Sequence, residues 1–483
     1  MKLSHLFLSL IALSWSVTVV AQSSIPLALA PYTFISAAGD TVLAELGSFQ
    51  VPENRQRPEG KQLNLKFVRF KSTNPKPGPP IVYLAGGPGG SGINAAKYNR
   101  FKLFMSLRSV ADVIAYDQRG TGLSDGPPRY RGGWMLDQEQ PLTLEAARPS
   151  IVKATLEAAT YFKESGTDLS AYNTNENADD LNDLRIALGA EKLSLWSISY
   201  GTHLALTTLK RHEAHLDKLI LAGVEGYDQT VKMPLDQQRL LETIDSLLKA
   251  SPVTASHFPD FLGDIEKLLA QLEQEPAIIK AKHPFFGVMQ DVAFGKVECQ
   301  ILLASSLRGP ATFTDMPLAV QEMLNGDFSR VEEFAFYPKM GNYRGMNMGM
   351  DLASGISKER RALLETQAAT TLLGDVINFP YLIEYDALPD LDAGEAFRVP
   401  YTSEIPVLCI SGTLDGRTPP NNAVETLRYL PNGKHLILVG AGHSDPLFLS
   451  SPRIEAVMLD FLNGKKVQDE TIQLPPVVFE LPE

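Results

Sequence analysis

Six short apolar runs constrain this chain more than any other feature: PPIVYLAGG (79–87), VADVIAYDQRG (110–120), EKLSLWSIS (191–199), LDKLILAGVEG (216–226), IPVLCISGTLDG (405–416) and KHLILVGAGH (434–443). None alternates apolar with polar residues, as a strand with one wet face must, and each ends in small or glycine-rich residues. Such runs are strands covered on both faces, and parallel strands need a long crossover, usually a helix. Between the second and third lies NADDLNDLRIALGA (177–190), with Asp179 and Asp180 in its first turn, Leu181, Leu184 and Leu188 on one face, and Gly189 as its stop. The pattern predicts an α/β fold with a mostly parallel central sheet.

From 228 to 400 the strand runs nearly vanish. Amphipathic stretches such as DQQRLLETIDSLLKA (236–250) and PDFLGDIEKLLAQLEQE (259–275) dominate, and methionines gather in MGNYRGMNMGM (340–350), as gap-filling core or the lining of an apolar cleft. With 483 residues there is length for a large core and an insertion. The expected division is a first core part (22–227), a helical cap insertion (228–400), a second core part (401–465) and a tail (466–483) that packs extended or frays.

The first 21 residues read as a signal peptide. Lys2 opens a short apolar stretch at 6–13, and Val19 and Ala21 offer a small-residue cleavage site. Serines 9, 14 and 16 interrupt the stretch, which is short against the roughly 20 apolar residues of a membrane span. The expectation is an exported protein, periplasmic or secreted, with no stable membrane anchor. The net charge of −12 lacks the basic footprint of a nucleic-acid binder. Cys299 and Cys409, the only cysteines, are expected to be free buried thiols, since Cys409 sits inside a strand run.

Three constellations carry chemistry. The loop YLAGGPGGSG (83–92) follows a strand and turns backbone N–H groups into open space, for a phosphate, an oxyanion or a plain turn. Gly87, Gly89 and Gly92 fit a dinucleotide fingerprint with Asp117 closing the next strand, though Pro88 in the turn counts against it; Ile93 after Gly92 excludes a P-loop. Ser199 ends a strand run and opens the helical stretch YGTHLALTTLKRH, the strand–turn–helix context of a nucleophile elbow. Gly201 fits that motif, and Ser197 stands where it has glycine. Of eight histidines, only His443 follows a strand in a small-residue turn; His203, His212 and His215 lie on the helix after the elbow, and His435 precedes its strand. Asp415 follows another strand. Ser199, Asp415 and His443 thus occur in the chain order of an α/β-hydrolase triad, all at strand ends.

GSFQVPENR, GGPGGSG, YDQRGTGLS, WSISYGTHLAL and SGTLDGRTPPNNA…GAGH together resemble the proline iminopeptidase and tripeptidyl aminopeptidase family of α/β-hydrolases, over residues 47–446. The resemblance implies an α/β-hydrolase fold with an inserted helical cap domain, and a serine hydrolase acting at free amino termini. It makes Ser199 the nucleophile, His443 the general base, Asp415 its orienting acid, and the N–H groups of Gly87 and Tyr200 the oxyanion hole. Asp117 and Arg119 resemble a structural turn of that family. Ala85 departs from the histidine that relatives often carry there. Relatives hold the substrate's ammonium with cap glutamates, for which Glu225, Glu298 and Asp351 are the candidates here.

The expected reaction passes through an acyl-enzyme and needs no metal or organic cofactor. Its substrate is a peptide or small acyl compound. An aminopeptidase leads, with a serine esterase on the same fold as the alternative: an anionic anchor favours the first, an apolar methionine-lined cap the second. A non-catalytic binder has no need of both triad and glycine loop, and a dinucleotide enzyme leaves Asp415 and His443 unexplained.

Overall fold

The computed structural model describes residues 25–482, so the leader expected at 1–21 lies outside the described residues. A ten-stranded sheet runs through the protein, built from β1 (Leu27–Ile35), β2 (Thr41–Pro52), β3 (Gln62–Phe70), β4 (Ile81–Leu84), β5 (Val113–Asp117) and five later strands. Short β6 (Gly133–Met135) lies outside it; β7 (Leu193–Ser199) and β8 (Leu216–Val224) rejoin it. The hairpin β9 (Ala277–Lys282) and β10 (Met289–Phe294) and short β11 (Met340–Asn342) belong to the cap, and β12 (Val407–Gly412), β13 (Gly433–Val439) and β14 (Glu470–Gln473) complete the sheet. The spatial order is β1-β2-β3-β5-β4-β7-β8-β12-β13-β14. Strands β1 to β3 form an antiparallel meander ending on β5, and from β5 onward every neighbouring pair is parallel.

All six apolar runs are strands of the parallel part, and it is an α/β-hydrolase arrangement. Residues of β4, β5, β7 and β12 are buried throughout, apart from Ser199, because helices cover both faces. One face packs on the helices Phe101–Leu107 and Pro452–Leu462 through Phe104, Val457 and Phe461. The other packs on Thr174–Ala187 and Tyr200–His212 through Leu181, Leu184 and Leu204.

A third core fills the cap, where Leu240, Leu241, Ile244 and Leu248 meet Ile265, Leu268, Leu269 and Leu272, the faces of the two amphipathic stretches. This cap draws on more than 228–400. Strand β6 pairs with β11, and the helix Leu144–Glu164 packs on Tyr381–Ala387, so 133–164 joins the same core. The tail is also held: β14 extends the sheet, and Phe479 enters the cap core. Cys299 and Cys409 are free and buried, and burial pushes the Cys409 thiol up to about 12. Among the described residues no helix is long and apolar enough to cross a membrane.

A buried ion cluster fastens the turn after β5. Arg119, fully buried, donates through Nε and Nη2 to Asp180 (2.7 Å each) and through Nη1 to the carbonyls of Glu53 and Ala171. Arg55 reaches the same Asp180 (2.7 Å) and also Glu176 and Asp183. Asp117 accepts from the Ser91 hydroxyl and the amides of Ile93 and Leu123, tying this turn to the glycine loop. Both residues serve the scaffold. Removing one partner of such a cluster strands buried charge, so Asp180→Ala should lower the unfolding free energy by about 3–5 kcal/mol, read as a fall in the urea midpoint; an unchanged midpoint would contradict this assignment.

Candidate active site

The elbow follows from a collision. Where β7 meets the helix Tyr200–His212, a Cβ on Gly201 would lie 2.3 Å from the Leu84 carbonyl oxygen, and a Cβ on Gly86 would lie 2.8 Å from the Ser199 Cβ. Only glycine fits either place, and the crowding throws Ser199 into a positive-φ conformation (φ 54°, ψ −131°) costly for a side-chain-bearing residue. Ser197 is accommodated because its side chain turns toward β8, where its hydroxyl donates to the Ile220 carbonyl (2.9 Å).

Asp415, in the turn after β12, is buried and fully engaged. Its Oδ1 accepts from the amides of Arg417 (2.8 Å) and Thr418 (2.9 Å), and its Oδ2 from the Thr418 hydroxyl (2.7 Å). That same Oδ2 lies 2.8 Å from His443 Nδ1. The Thr418 hydroxyl is 3.0 Å from the same ring nitrogen, a role the sequence reading missed because only the fold brings residue 418 to 443. The His443 turn is pinned by its own amide donating to the Arg308 carbonyl (2.7 Å), and by Arg100, which holds Asp445 (2.8 Å) and the Tyr83 hydroxyl.

Ser199 and His443 line one cavity of about 1120 Å³ with Gly86, Gly87 and Ala85. The amides of Gly87 and Tyr200 flank the elbow, and no carbonyl or side-chain oxygen among the described residues accepts from either. Fully buried His203 donates from Nδ1 to the Gly226 carbonyl (2.9 Å), and burial pushes its pKa down: it is a core residue.

A second cavity of about 620 Å³ adjoins the first, Tyr337 lining both. Asn347 lines it and donates to the Pro88 carbonyl in the glycine loop. Its walls include apolar Trp134, Phe336, Met340 and Met348, the carboxyl groups of Asp351, Glu384 and exposed Glu333, and the cations Lys282 and Arg344. Neither Asp351 nor Glu384 has an ion-pair partner among the described residues, and both are held up by burial: Glu384 to about 7, Asp351 well above the usual range, with the charges of Glu225 and Glu384 adding and those of Lys232 and Arg417 opposing. The methionine cluster divides, since Met346 and Met350 pack into the core beneath.

The three acidic candidates fare differently. Asp351 reaches this cavity. Glu225, directly after β8, is buried and spent on Lys232 (2.5 Å), and it lines neither cavity. Glu298 is corrected to a structural residue: it accepts from Lys339 (2.9 Å) and from the amides of Leu142 (2.7 Å) and Gly295 (3.1 Å) inside the cap core. It is fully buried, paired with Lys339 and lines neither cavity. Glu384, in the helix Tyr381–Ala387, escaped the sequence reading because nothing local marks YLIEYD as a site.

Two family models match: one for the alpha/beta hydrolase fold over residues 79–247, and one described as a TAP-like protein over residues 387–471. The chain is similar to the tripeptidyl aminopeptidase of Streptomyces lividans, 28% identical over 190 residues, which cover 37% of this chain and 35% of that one. It is similar to the serine protease Hip1 of Mycobacterium tuberculosis, 28% identical over 188 residues, with the same coverage of 37% and 35%. The chain thus spans about a third of the length of the curated relatives it matches. Among solved structures, a proline iminopeptidase of Mycobacterium smegmatis aligns at a TM-score of 0.40 and 17% identity, over 86% of this chain and 98% of that one.

The Thr418 bridge makes a direct prediction. A hydrogen bond to a charged group contributes about 1.5–3 kcal/mol, so Thr418→Val should lower kcat for ester hydrolysis about ten- to a hundredfold. KM should stay near the parent value; an unaltered kcat would show that the hydroxyl does nothing for the His443–Asp415 pair.

Proposed function

We propose that this chain, with its alpha/beta hydrolase and TAP-like matches and its similarity to tripeptidyl aminopeptidase, is an exported aminopeptidase acting on free peptide amino termini. The observation that carries this reading is the junction of the two cavities at Tyr337: a serine elbow with an Asp–His pair in one, the desolvated, unpaired carboxyls of Asp351 and Glu384 in the other.

In the proposed mechanism His443 Nε2 takes the Ser199 proton as Oγ attacks the carbonyl carbon. Asp415 accepts a hydrogen bond from His443 Nδ1–H, fixes the tautomer and stabilises the imidazolium without itself being protonated. The oxyanion forms between the amides of Gly87 and Tyr200; loss of one such donor costs roughly 3–4 kcal/mol. The imidazolium then protonates the departing amine, and water, activated by the same imidazole, releases the acyl group from Ser199.

Asp351 and Glu384 supply the amino-terminal anchor. Buried without a counter-charge they favour their neutral forms, and an arriving ammonium lets them ionise and pair with it. The apolar wall beside them suits a hydrophobic first side chain. Export rests on the leader-like residues 1–21, with cleavage near Ala21.

The test is a panel of aminoacyl and tripeptidyl anilides, each with a free or an acetylated amino terminus. Cleavage should be confined to free amino termini. Cleavage of acetylated anilides at equal kcat/KM, or of aryl esters alone, would replace this reading by the esterase. Because burial holds the Glu384 carboxyl near about 7, its ionised fraction falls as pH drops through that value. KM for free-terminus anilides should therefore rise as the pH is lowered from about 8 to 6, and Glu384→Gln should raise KM about tenfold or more and flatten the dependence.

A further inference from the structure

Two arginines stand in the catalytic cavity without a counter-ion. Arg308 and Arg417 line it together with Ser199 and His443, Arg308 exposed at its mouth and Arg417 partly buried. Among the described residues neither guanidinium lies within 4.0 Å of a carboxylate or makes a side-chain hydrogen bond. The third arginine of the cavity, Arg100, behaves differently, being spent on Asp445, Ser444 and Tyr83. The carboxylates nearby are largely committed. Glu225 is held by Lys232, Asp415 by His443, and Glu480 by Arg330 (3.2 Å); Asp315 lines the cavity but pairs with neither arginine.

Both arginines are rigidly mounted on the catalytic loops. Arg417 follows Asp415 by two residues, and its amide donates to Asp415 Oδ1 (2.8 Å). The Arg308 carbonyl accepts from the His443 amide (2.7 Å), and the Leu307 carbonyl from the Gly416 amide (3.0 Å). Gly309 and Gly442 are pressed together there: a Cβ on Gly442 would lie 2.4 Å from the Gly309 Cα. Burial and the Arg308 charge lower the Arg417 pKa, against the opposing charges of Glu225 and Asp415.

We propose that Arg308 and Arg417 form a carboxylate-binding subsite on the leaving-group side of Ser199, and that the enzyme therefore favours peptides bearing a carboxylate shortly beyond the scissile bond. This deepens the aminopeptidase reading and rests on it. The side follows from the chemistry: the departing amine takes its proton from His443, so the released segment lies along the loops that carry His443 and Asp415. The ammonium anchor adjoins the glycine loop instead, through Asn347 and Pro88. A planar guanidinium fork matches a carboxylate in shape and charge, and the cavity of about 1120 Å³ has room for more than one residue. The carboxylate is either the C-terminus of a short peptide or an Asp or Glu side chain.

The experiment compares peptides of one sequence in three forms: free C-terminal carboxylate, C-terminal amide, and amide with a glutamate one or two residues past the bond. For the unaltered enzyme, kcat/KM should be about ten- to a hundredfold higher for the free carboxylate than for the amide, mostly through KM, with the advantage shrinking as salt is added. Recovery of the advantage by the glutamate peptide would identify a side-chain carboxylate as an equal source; its absence would restrict the subsite to the C-terminus. In Arg417→Gln, and more fully in Arg308→Gln/Arg417→Gln, the carboxylate-to-amide ratio should collapse toward one. A ratio taken within one preparation is independent of how much of the variant is folded. A ratio near one in the unaltered enzyme, or one surviving in the double variant, overturns the subsite alone. Failure to cleave any peptide while aryl esters are hydrolysed overturns the aminopeptidase reading and this inference with it.

Discussion

The close approach of Leu84, Gly86 and Gly201 around Ser199 is the constraint on which the rest of the site depends. Parallel β4 and β7 lie side by side, and the chain must turn from β7 into a helix with almost no clearance. The turn is achieved by placing Ser199 in a sparsely populated conformation that surrounding packing enforces. The same crowding brings the glycine loop over the serine. Asp415 and His443 arrive from β12 and β13, also parallel, so their loops emerge at the same edge of the sheet. The cap is keyed to those loops by backbone hydrogen bonds from Gly416 and His443 to residues 307 and 308. Catalytic geometry and cap position are therefore coupled.

Charge pairing then divides the site into regions with different tasks. Lys232 neutralises Glu225, Lys339 neutralises Glu298, and Arg100 holds Asp445. What remains uncommitted is informative, because buried charge without a partner is costly and tends to persist where a ligand supplies the partner. Among the groups left without an ion-pair partner are Asp351 and Glu384 in the second cavity and Arg308 and Arg417 beside the His443 loop in the first. On the proposed reading, Asp351 and Glu384 hold a peptide's amino terminus, and Arg308 and Arg417 steer its carboxylate.

Much of this was legible in the sequence, for physical reasons that also explain what was not. Uninterrupted apolar runs are the mark of strands buried on both faces, which is why β4, β5, β7, β8, β12 and β13 could be read and the triad order with them. Strands β1 to β3 carry the other signal, alternation, visible in Leu63, Leu65 and Phe67, and a search for unbroken runs passes over it. The share of the cap contributed by 133–164 rests on long-range pairing of β6 with β11, which no local pattern reveals. Glu298 seemed a candidate anchor because acidity is visible in a sequence and pairing with Lys339 is not. Glu384, Thr418 and Arg308 acquire their roles only where the fold places them against residues far along the chain.

The central claim is that Ser199 is the nucleophile, activated by His443 and Asp415, and it can be tested without knowing the substrate. The mature protein would be treated with an organofluorophosphonate, which phosphonylates activated serines, and analysed by intact-mass spectrometry and peptide mapping. The account predicts one adduct per chain, on Ser199, formed far more slowly in His443→Gln and absent in Ser199→Ala. An adduct on another residue, or continued hydrolysis with Ser199 unmodified, would contradict it.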